Sequence, residues 1–442
     1  MLILGEIEKK WQGKGYIFGK YGFLSILIIT GTIFRFCYPF FSQPLDHFYS
    51  DPGRHYTNAT SEFNQTINSW LDTPLPQVIL RTALAIFSNT RPGTSTYLGL
   101  LCAITPWCWY LWGRQLFNSR KRALVFLAAI TWLPSWIGIF GYFMDETLLL
   151  PALGITLWLS WKASKENTAM SFLLAILGWA FTLSIKLNSL LELIIVVPWL
   201  LFNFIKHNGR SLRSYGIAAA GVFILTATYL VYPWWVYQGL GSTWIYPAGM
   251  GVMTRAFYLS GAYSVSAQFI LHGRTIAHMG PYECDSMQLK SFEPFSDWRT
   301  WRKGYYPLIV NCDKKLVFTP DMPHLSLPKR LLLITEGAVY FFFSRSWPDL
   351  REDDIIHIAQ VEMRWIWSLL TIAVIGLAWQ KKRFKDMVVV LCLGTALLYI
   401  LCDGTTMTGR YRKPWEGIAI AAFVYLFNAP AKKRSDLINE TT

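Results

Sequence analysis

The sequence predicts an all-α polytopic membrane protein, a bundle of about ten transmembrane helices with extracytoplasmic loops. Three observations predict it. Of the 442 residues, 53% are hydrophobic and only 15% charged, against about 25% charged in an average soluble domain. Apolar stretches close to the ~20 residues that a helix needs to cross a bilayer recur along the chain. Lys and Arg gather at every second connection between those stretches, as short cytoplasmic loops do. A disordered chain is excluded, because 16% aromatic residues supply ample apolar surface to bury.

The spans are read at 22–41, 94–113, 123–143, 146–161, 171–186, 189–205, 214–236, 364–380, 387–403 and 414–429. The apolar run 171–205 is divided into a hairpin around Lys186-Leu187-Asn188, since one long span would reverse the sidedness of everything after it. Lys9, Lys10, Lys14 and Lys20 precede the first span, and Arg114, Arg120, Lys121 and Arg122 follow the second. Lys162 and Lys165, then Lys206, Arg210 and Arg213, then Lys381, Lys382, Arg383 and Lys385, and finally Lys432, Lys433 and Arg434 mark alternate connections. All fall on one side, which places both termini in the cytoplasm. These inner segments hold 20 Lys/Arg and six acids (Glu6, Glu8, Glu166, Asp386, Asp436 and Glu440), an excess equal to the whole formal charge of +14. The basic balance is therefore a topology signal, and nucleic acid is not an expected partner. The first span is long and lacks a small-residue cleavage site, so it reads as a membrane anchor and not as a removable signal peptide.

Three units follow. Residues 1–236 form an N-terminal transmembrane module whose first outer loop, 42–93, holds the densest polar information. Residues 237–363 form a large extracytoplasmic loop, and 364–442 a C-terminal transmembrane module. Leu331 to Phe343 is apolar but short and reads as an interfacial or re-entrant helix; Val78 to Phe87 reads as lying along the membrane surface. Of seven cysteines, Cys284 and Cys312 alone fall in the large outer loop, where an oxidising compartment permits a disulfide.

The candidate chemistry lies on the outer side. Pro44 to Tyr56 contains Asp46, His47, Asp51, Arg54 and His55 just beyond the first span. Asp51-Pro52-Gly53 also has the character of a turn that caps a helix beginning near Arg54. Asp145 and Glu146 form a one-turn connection suited to a metal or an acceptor, or simply to a helix start, where acids complement the dipole. Ionisable groups in or at the edge of a span are functional candidates by default. Arg35, Lys186, Glu192, Asp403, Arg410, Arg412 and Lys413 qualify. Snorkelling to the interface is the plain reading of Arg35, and an ion pair with Glu192 that of Lys186. The run Gly409 to Pro414 sets three cations on the outer side, against the charge rule, where they suit an anionic group at headgroup depth. A carboxylate able to act as general base beside cations able to hold a departing phosphate is what glycosyl transfer from a polyprenyl-phosphate sugar requires.

Asp51-Pro52-Gly53-Arg54-His55-Tyr56 is similar to the Asp-x-Gly-Arg-aromatic motif opening a helix in the first loop of the GT-C class of membrane glycosyltransferases. Within that class the chain most resembles the branch of protein O-mannosyltransferases and aminoarabinose transferases. Arg91-Pro92-Gly93 with Tyr97, and the run Arg410-Tyr411-Arg412-Lys413-Pro414, are similar to further family patterns ahead of the second and a late span. The resemblance implies a GT-C-like bundle in which Asp51 is the catalytic carboxylate and Arg54 contacts the donor phosphate, with Arg91, Arg410 and Arg412 as secondary phosphate or headgroup contacts. Asp46 is a further candidate for catalysis and Lys186 for the phosphate, on their place at the outer side. The second loop lacks an Asp-x-Asp, so a divalent metal at Asp145 and Glu146 is left open.

The expected function is transfer of a sugar from a polyprenyl-phosphate donor to a lipid, glycan or protein acceptor, in a bacterial cytoplasmic membrane. The sequons at Asn58, Asn64 and Asn439 read as chance, because a glycan on Asn58 would stand one helical turn from Arg54. The rival readings are a transporter or flippase of lipid-linked saccharides, a polymerase or ligase using a pyrophosphate-linked donor, and a scaffold without catalysis. Transport is disfavoured by the absence of repeated halves and of ionisable groups at the bilayer midplane.

Overall fold

The structure, a computed structural model, describes residues 15–47, 50–62, 73–209, 211–240, 267–271, 274–279, 326–343, 354–402 and 408–427. Helices α1 (Gly15–Ser42), α2 (Ser50–Thr60), α3 (Pro74–Phe87), α4 (Arg91–Leu116), α5 (Arg120–Thr131) and α6 (Pro134–Gly138) open the chain. They are followed by α7 (Glu146–Glu166), α8 (Ala169–Ile185), α9 (Leu190–Asn208) and α10 (Leu212–Leu240). After an antiparallel hairpin of β1 (Ala267–Leu271) and β2 (Arg274–Met279) come α11 (Leu327–Phe343), α12 (Ile355–Glu362) and α13 (Trp365–Lys381). The chain closes with α14 (Met387–Cys402), α15 (Thr408–Tyr411) and α16 (Lys413–Phe427). The protein is thus mostly helical, and the hairpin is its one departure from an all-α chain among the described residues.

Among the described residues, each of the ten apolar stretches is mostly helical. By length and composition, Gly22–Asp46, Leu187–Asn208, Leu212–Val231 and Ile355–Lys381 suit a membrane crossing, and so does the bent pair Arg120–Thr131 with Pro134–Gly141 if it is one span. Among the described residues there are accordingly four to five candidate membrane helices. Helices α4 and α7 are long enough but diluted by Trp, Thr, Gly and Pro, whereas α8 and α14 are apolar but only 17 and 16 residues long.

Local chemistry sets the boundaries. Thr90, Ser119 and Thr168 accept from the backbone N–H groups of Gly93, Arg122 and Ser171, capping α4, α5 and α8. The hairpin expected around Lys186 is present: α8 ends at Ile185, Lys186 is extended, and a 3₁₀ turn at Leu187–Ser189 leads into α9.

The 123–143 stretch is broken. Pro134 has no N–H for the Ile130 carbonyl, so α5 stops and α6 sets off at 54° to it. Arg35 of α1 donates to the freed Ile130 carbonyl at 3.3 Å and also to the carbonyls of Thr131 at 3.2 Å, Trp136 at 3.5 Å and, in α4, Cys102 at 2.7 Å. Its side chain is fully buried, which corrects the expectation that Arg35 snorkels outward. Four carbonyls supply inside the bundle the hydrogen bonds that interfacial water would otherwise make.

Tryptophans fill the centre. Trp109 and Trp136 lie with ring centroids 4.9 Å apart, and their indole N–H groups donate to the carbonyls of Leu150 and Lys413 at 2.8 and 2.9 Å. Gly417 of α16 passes directly over this pair, where a Cβ would sit 2.6 Å from the Trp136 ring. Helix α11, which contains the expected interfacial segment, packs on α14, with Phe341 buried against Tyr399 and Trp415.

The two ends of the bundle are distinct. Lys165 bonds the Gln115 carbonyl, Asn208 that of Asn167, and Lys381 those of Leu426 and Phe427, joining connections expected to share the basic side. At the opposite end, Thr73 bonds the Ile185 carbonyl and Lys186 reaches Asp145. Cys37, Cys102, Cys108 and Cys392 are free thiols. The proposed Cys284–Cys312 pair, Asp403 and most of 237–363 lie outside the described residues.

Candidate functional site

Three chain segments far apart in sequence meet where α2, α7, α8 and α15 come together. Asp51 stands in the first turn of α2, where the helix dipole favours an acid, and Arg54 lies one turn on, its guanidinium 2.6 Å from Oδ1. Asp51 is therefore inside the helix and not in a separate turn. Its other oxygen accepts from Arg410 of α15, 359 residues away in sequence. Arg410 also donates through Nε to Glu146, the first residue of α7. Lys186 extends back from the end of α8, with Nζ 2.5 Å from Glu146 and 3.1 Å from Asp145. This corrects the expected Lys186–Glu192 pair: Glu192 is buried in the first turn of α9, while Lys186, extended in its backbone, reaches the start of α7.

The site is thus an interlocked set of three acids and three cations. Tyr411 forms its floor, with Arg410 and Lys186 centred 5.0 and 5.1 Å from its ring. His55 adds a buried imidazole, Nδ1 hydrogen-bonded to Gln77 of α3 at 2.8 Å and Nε2 3.7 Å from Asp145. Exposure is uneven: the Arg410 and Glu146 side chains are each 4% exposed, but Asp51 keeps 19% and Arg54 31%. Access to the cluster therefore runs through Asp51 and Arg54.

The electrostatics follow this layout. Burial pushes the Asp51 carboxyl up, but Arg410 and then Arg54 outweigh it and bring it down to about 2. Asp145 goes the other way, raised by its burial and by the Glu146 charge beside it, against the pull of Lys186.

The remaining candidates stand elsewhere. Asp46 pairs with Arg91 at 2.7 Å in a more exposed position, tying the turn after α1 to the start of α4. Arg412 faces the other way from Arg410, 3.0 Å from Glu416 and donating to the Phe341 carbonyl. Lys413 is buried as well, donating to the Ser135 carbonyl at 2.8 Å. Asp145 and Glu146 direct their charge to Lys186 and Arg410, and among the described residues no three His, Cys, Asp or Glu side chains gather as a metal-ligand set. Sequence reasoning missed Tyr411 and Gln77 as parts of the site, because each acts through a neighbour distant in the chain. It also missed Asp354 and His357, whose only sequence signal is an acid ahead of a helix with a histidine one turn later.

In comparisons with known proteins, no family model matches this chain and no curated protein is significantly similar to it.

Proposed function

We propose that the chain is a GT-C-like glycosyltransferase that moves a sugar from a polyprenyl-phosphate donor to a lipid, glycan or protein acceptor. The reaction takes place at the extracytoplasmic side of a bacterial cytoplasmic membrane that the chain crosses about ten times, with both termini inside. The observation that carries this reading is Asp51 itself: a solvent-reachable carboxylate held between Arg54 and the buried Arg410.

With its carboxyl brought down to about 2, Asp51 is a weak base while both arginines hold it. Arg54 is the more exposed of the two and the one a donor phosphate meets first. When the phosphate draws Arg54 away, Asp51 loses one stabilising cation and becomes more basic as the leaving group is bound. The acceptor hydroxyl or amine then attacks the anomeric carbon and gives its proton to Asp51. The bond from that carbon to the phosphate oxygen breaks, and Arg54 stabilises the charge gathering on the departing lipid phosphate. Single displacement inverts the anomeric configuration. Arg410, locked between Asp51 and Glu146, orients the carboxylate.

The test is to incubate the purified protein in liposomes with matched monophosphate- and pyrophosphate-linked polyprenyl sugars and to identify the lipid product. Release of polyprenyl monophosphate from the first donor supports the reading. Consumption of the pyrophosphate donor alone favours a polymerase or ligase, and sugar lipid moved across the bilayer without cleavage favours a flippase.

A further inference from the structure

A second polar cluster stands apart from the acid cluster, where α1 meets α12. Asp354 precedes α12, and its Oδ1 accepts from the Ile356 N–H at 2.8 Å. Its Oδ2 is met from two sides, by the Tyr38 hydroxyl at 2.7 Å and by His357 Nδ1 at 3.0 Å. The other ring nitrogen of His357 lies 2.9 Å from the Tyr142 hydroxyl. Tyr38, Tyr142 and His357 are buried, while the Asp354 side chain keeps 16% exposure. Capping α12 needs only the Ile356 contact. The Tyr38 and His357 contacts go further, fixing the direction of a carboxylate that remains open to solvent.

That carboxylate borders a cavity of about 450 Å³ lined by Phe34, Tyr38, Phe41, Ser42, His47 and Asp354 together with Ile355 and Ile356. This volume falls within the ~300–1,000 Å³ of small-molecule sites, whose walls are apolar and aromatic with a few placed polar groups. Three aromatic rings form an apolar wall, and a carboxylate, a hydroxyl and an imidazole supply hydrogen bonds. No Lys or Arg is among the described lining residues, and a fixed carboxylate repels anions, so neither a phosphate nor a lipid headgroup anion suits it.

We propose that this cavity binds a polyhydroxylated ring, one saccharide unit, with ring hydroxyls donating to Asp354 and the apolar ring face lying on Phe34, Tyr38 and Phe41. The His357 ring, held in turn by Tyr142, positions the carboxylate. One lining ring, that of His47, lies 6.1 Å from the ring of Tyr142, which precedes Asp145 of the acid cluster by three residues. On the glycosyl-transfer reading the bound ring is the acceptor's; that assignment rests on the proposed function, whereas the binding itself does not.

The experiment is saturation-transfer NMR on the full chain in nanodiscs, with methyl α-D-glucopyranoside as the neutral probe and glucose 6-phosphate as the anionic one. The neutral probe is expected to bind, and to bind at least tenfold more weakly to Asp354→Asn and several-fold more weakly to Tyr38→Phe. Tyr38→Phe removes one hydroxyl and keeps the ring, so it decides the matter if Asp354→Asn fails to fold. Equal binding by the natural chain and both cavity variants, no binding by the natural chain, or glucose 6-phosphate binding as tightly as the neutral probe would each overturn the proposal. Neutral-probe binding in a protein that cleaves no polyprenyl donor would leave the cavity assignment standing and remove the glycosyl-transfer reading.

Discussion

Two ionic networks begin within one short run, Arg410 to Lys413, and they are built differently. Arg410 turns to Asp51 and Glu146, in a cluster that solvent reaches through Arg54. Arg412 and Lys413 turn inward, to Glu416, the Phe341 carbonyl and the Ser135 carbonyl, and Ser135 in turn donates to Glu416 at 2.5 Å. In the inner network every charge is closed off, and its role is to fasten α16 to α6 and α11. In the outer one, two of the six charges are reachable, and those two can exchange partners. The difference teaches how to tell a structural buried charge from a functional one: by whether any member of its network can trade its partner for a ligand.

That contrast can be broken by substitution. Arg412→Met strands the fully buried Glu416 carboxylate, and removing one partner of a buried pair costs about 3–5 kcal/mol. The expected result is a large fall in thermal unfolding temperature with no change in donor preference. Arg35→Leu leaves the carbonyls at the α5–α6 break without their donor and is expected to cost about 1–3 kcal/mol, read in the same unfolding assay. Arg54→Ala reverses the pattern, with unfolding shifted by less than about 1 kcal/mol because the pair is partly exposed, and transfer expected to fall about 10²-fold.

Acid separates the networks further. Asp51 has its carboxyl lowered from 3.8 to about 2, so the stabilisation it provides is complete above pH ~4 and is lost as pH falls towards 2. Unfolding measured between pH 4 and 7 should therefore show no pH dependence from Asp51, and below pH 4 stability should fall as its contribution is lost. The smallest effect is expected at Asp46 and Arg91, the latter 65% exposed: Asp46→Asn should shift stability by less than about 1 kcal/mol and leave transfer within about twofold. A large loss of transfer there would extend the outer network to the turn after α1.

Much of the frame was legible from residue order. Apolar length predicts helix along the ten stretches, of which four to five suit a membrane crossing among the described residues and 123–143 is broken, and the Asp51–Arg54 pair follows from spacing alone, since residues three apart share a helix face. Arg410 was legible as an outward cation, but its partners were not. Its contacts span 359 residues to Asp51 and 264 to Glu146, and pairing at that range depends on how helices pack. The burial of Arg35 escapes sequence reasoning for the same reason: its acceptors are carbonyls 67 to 101 residues away, on α4 and around the proline break between α5 and α6. Lys186 was assigned to Glu192 on nearness in sequence, and the extended backbone at Lys186 reversed that.

The measurement that bears most directly on the central claim compares the natural chain with Asp51→Asn, both purified and reconstituted, for release of polyprenyl monophosphate from a polyprenyl-phosphate sugar. Asn keeps the size of Asp51 and removes the charge that Arg54 and Arg410 hold. The account predicts release by the natural chain and a loss of about 10³-fold or more in the variant, with membrane insertion intact. Full release by Asp51→Asn would contradict it.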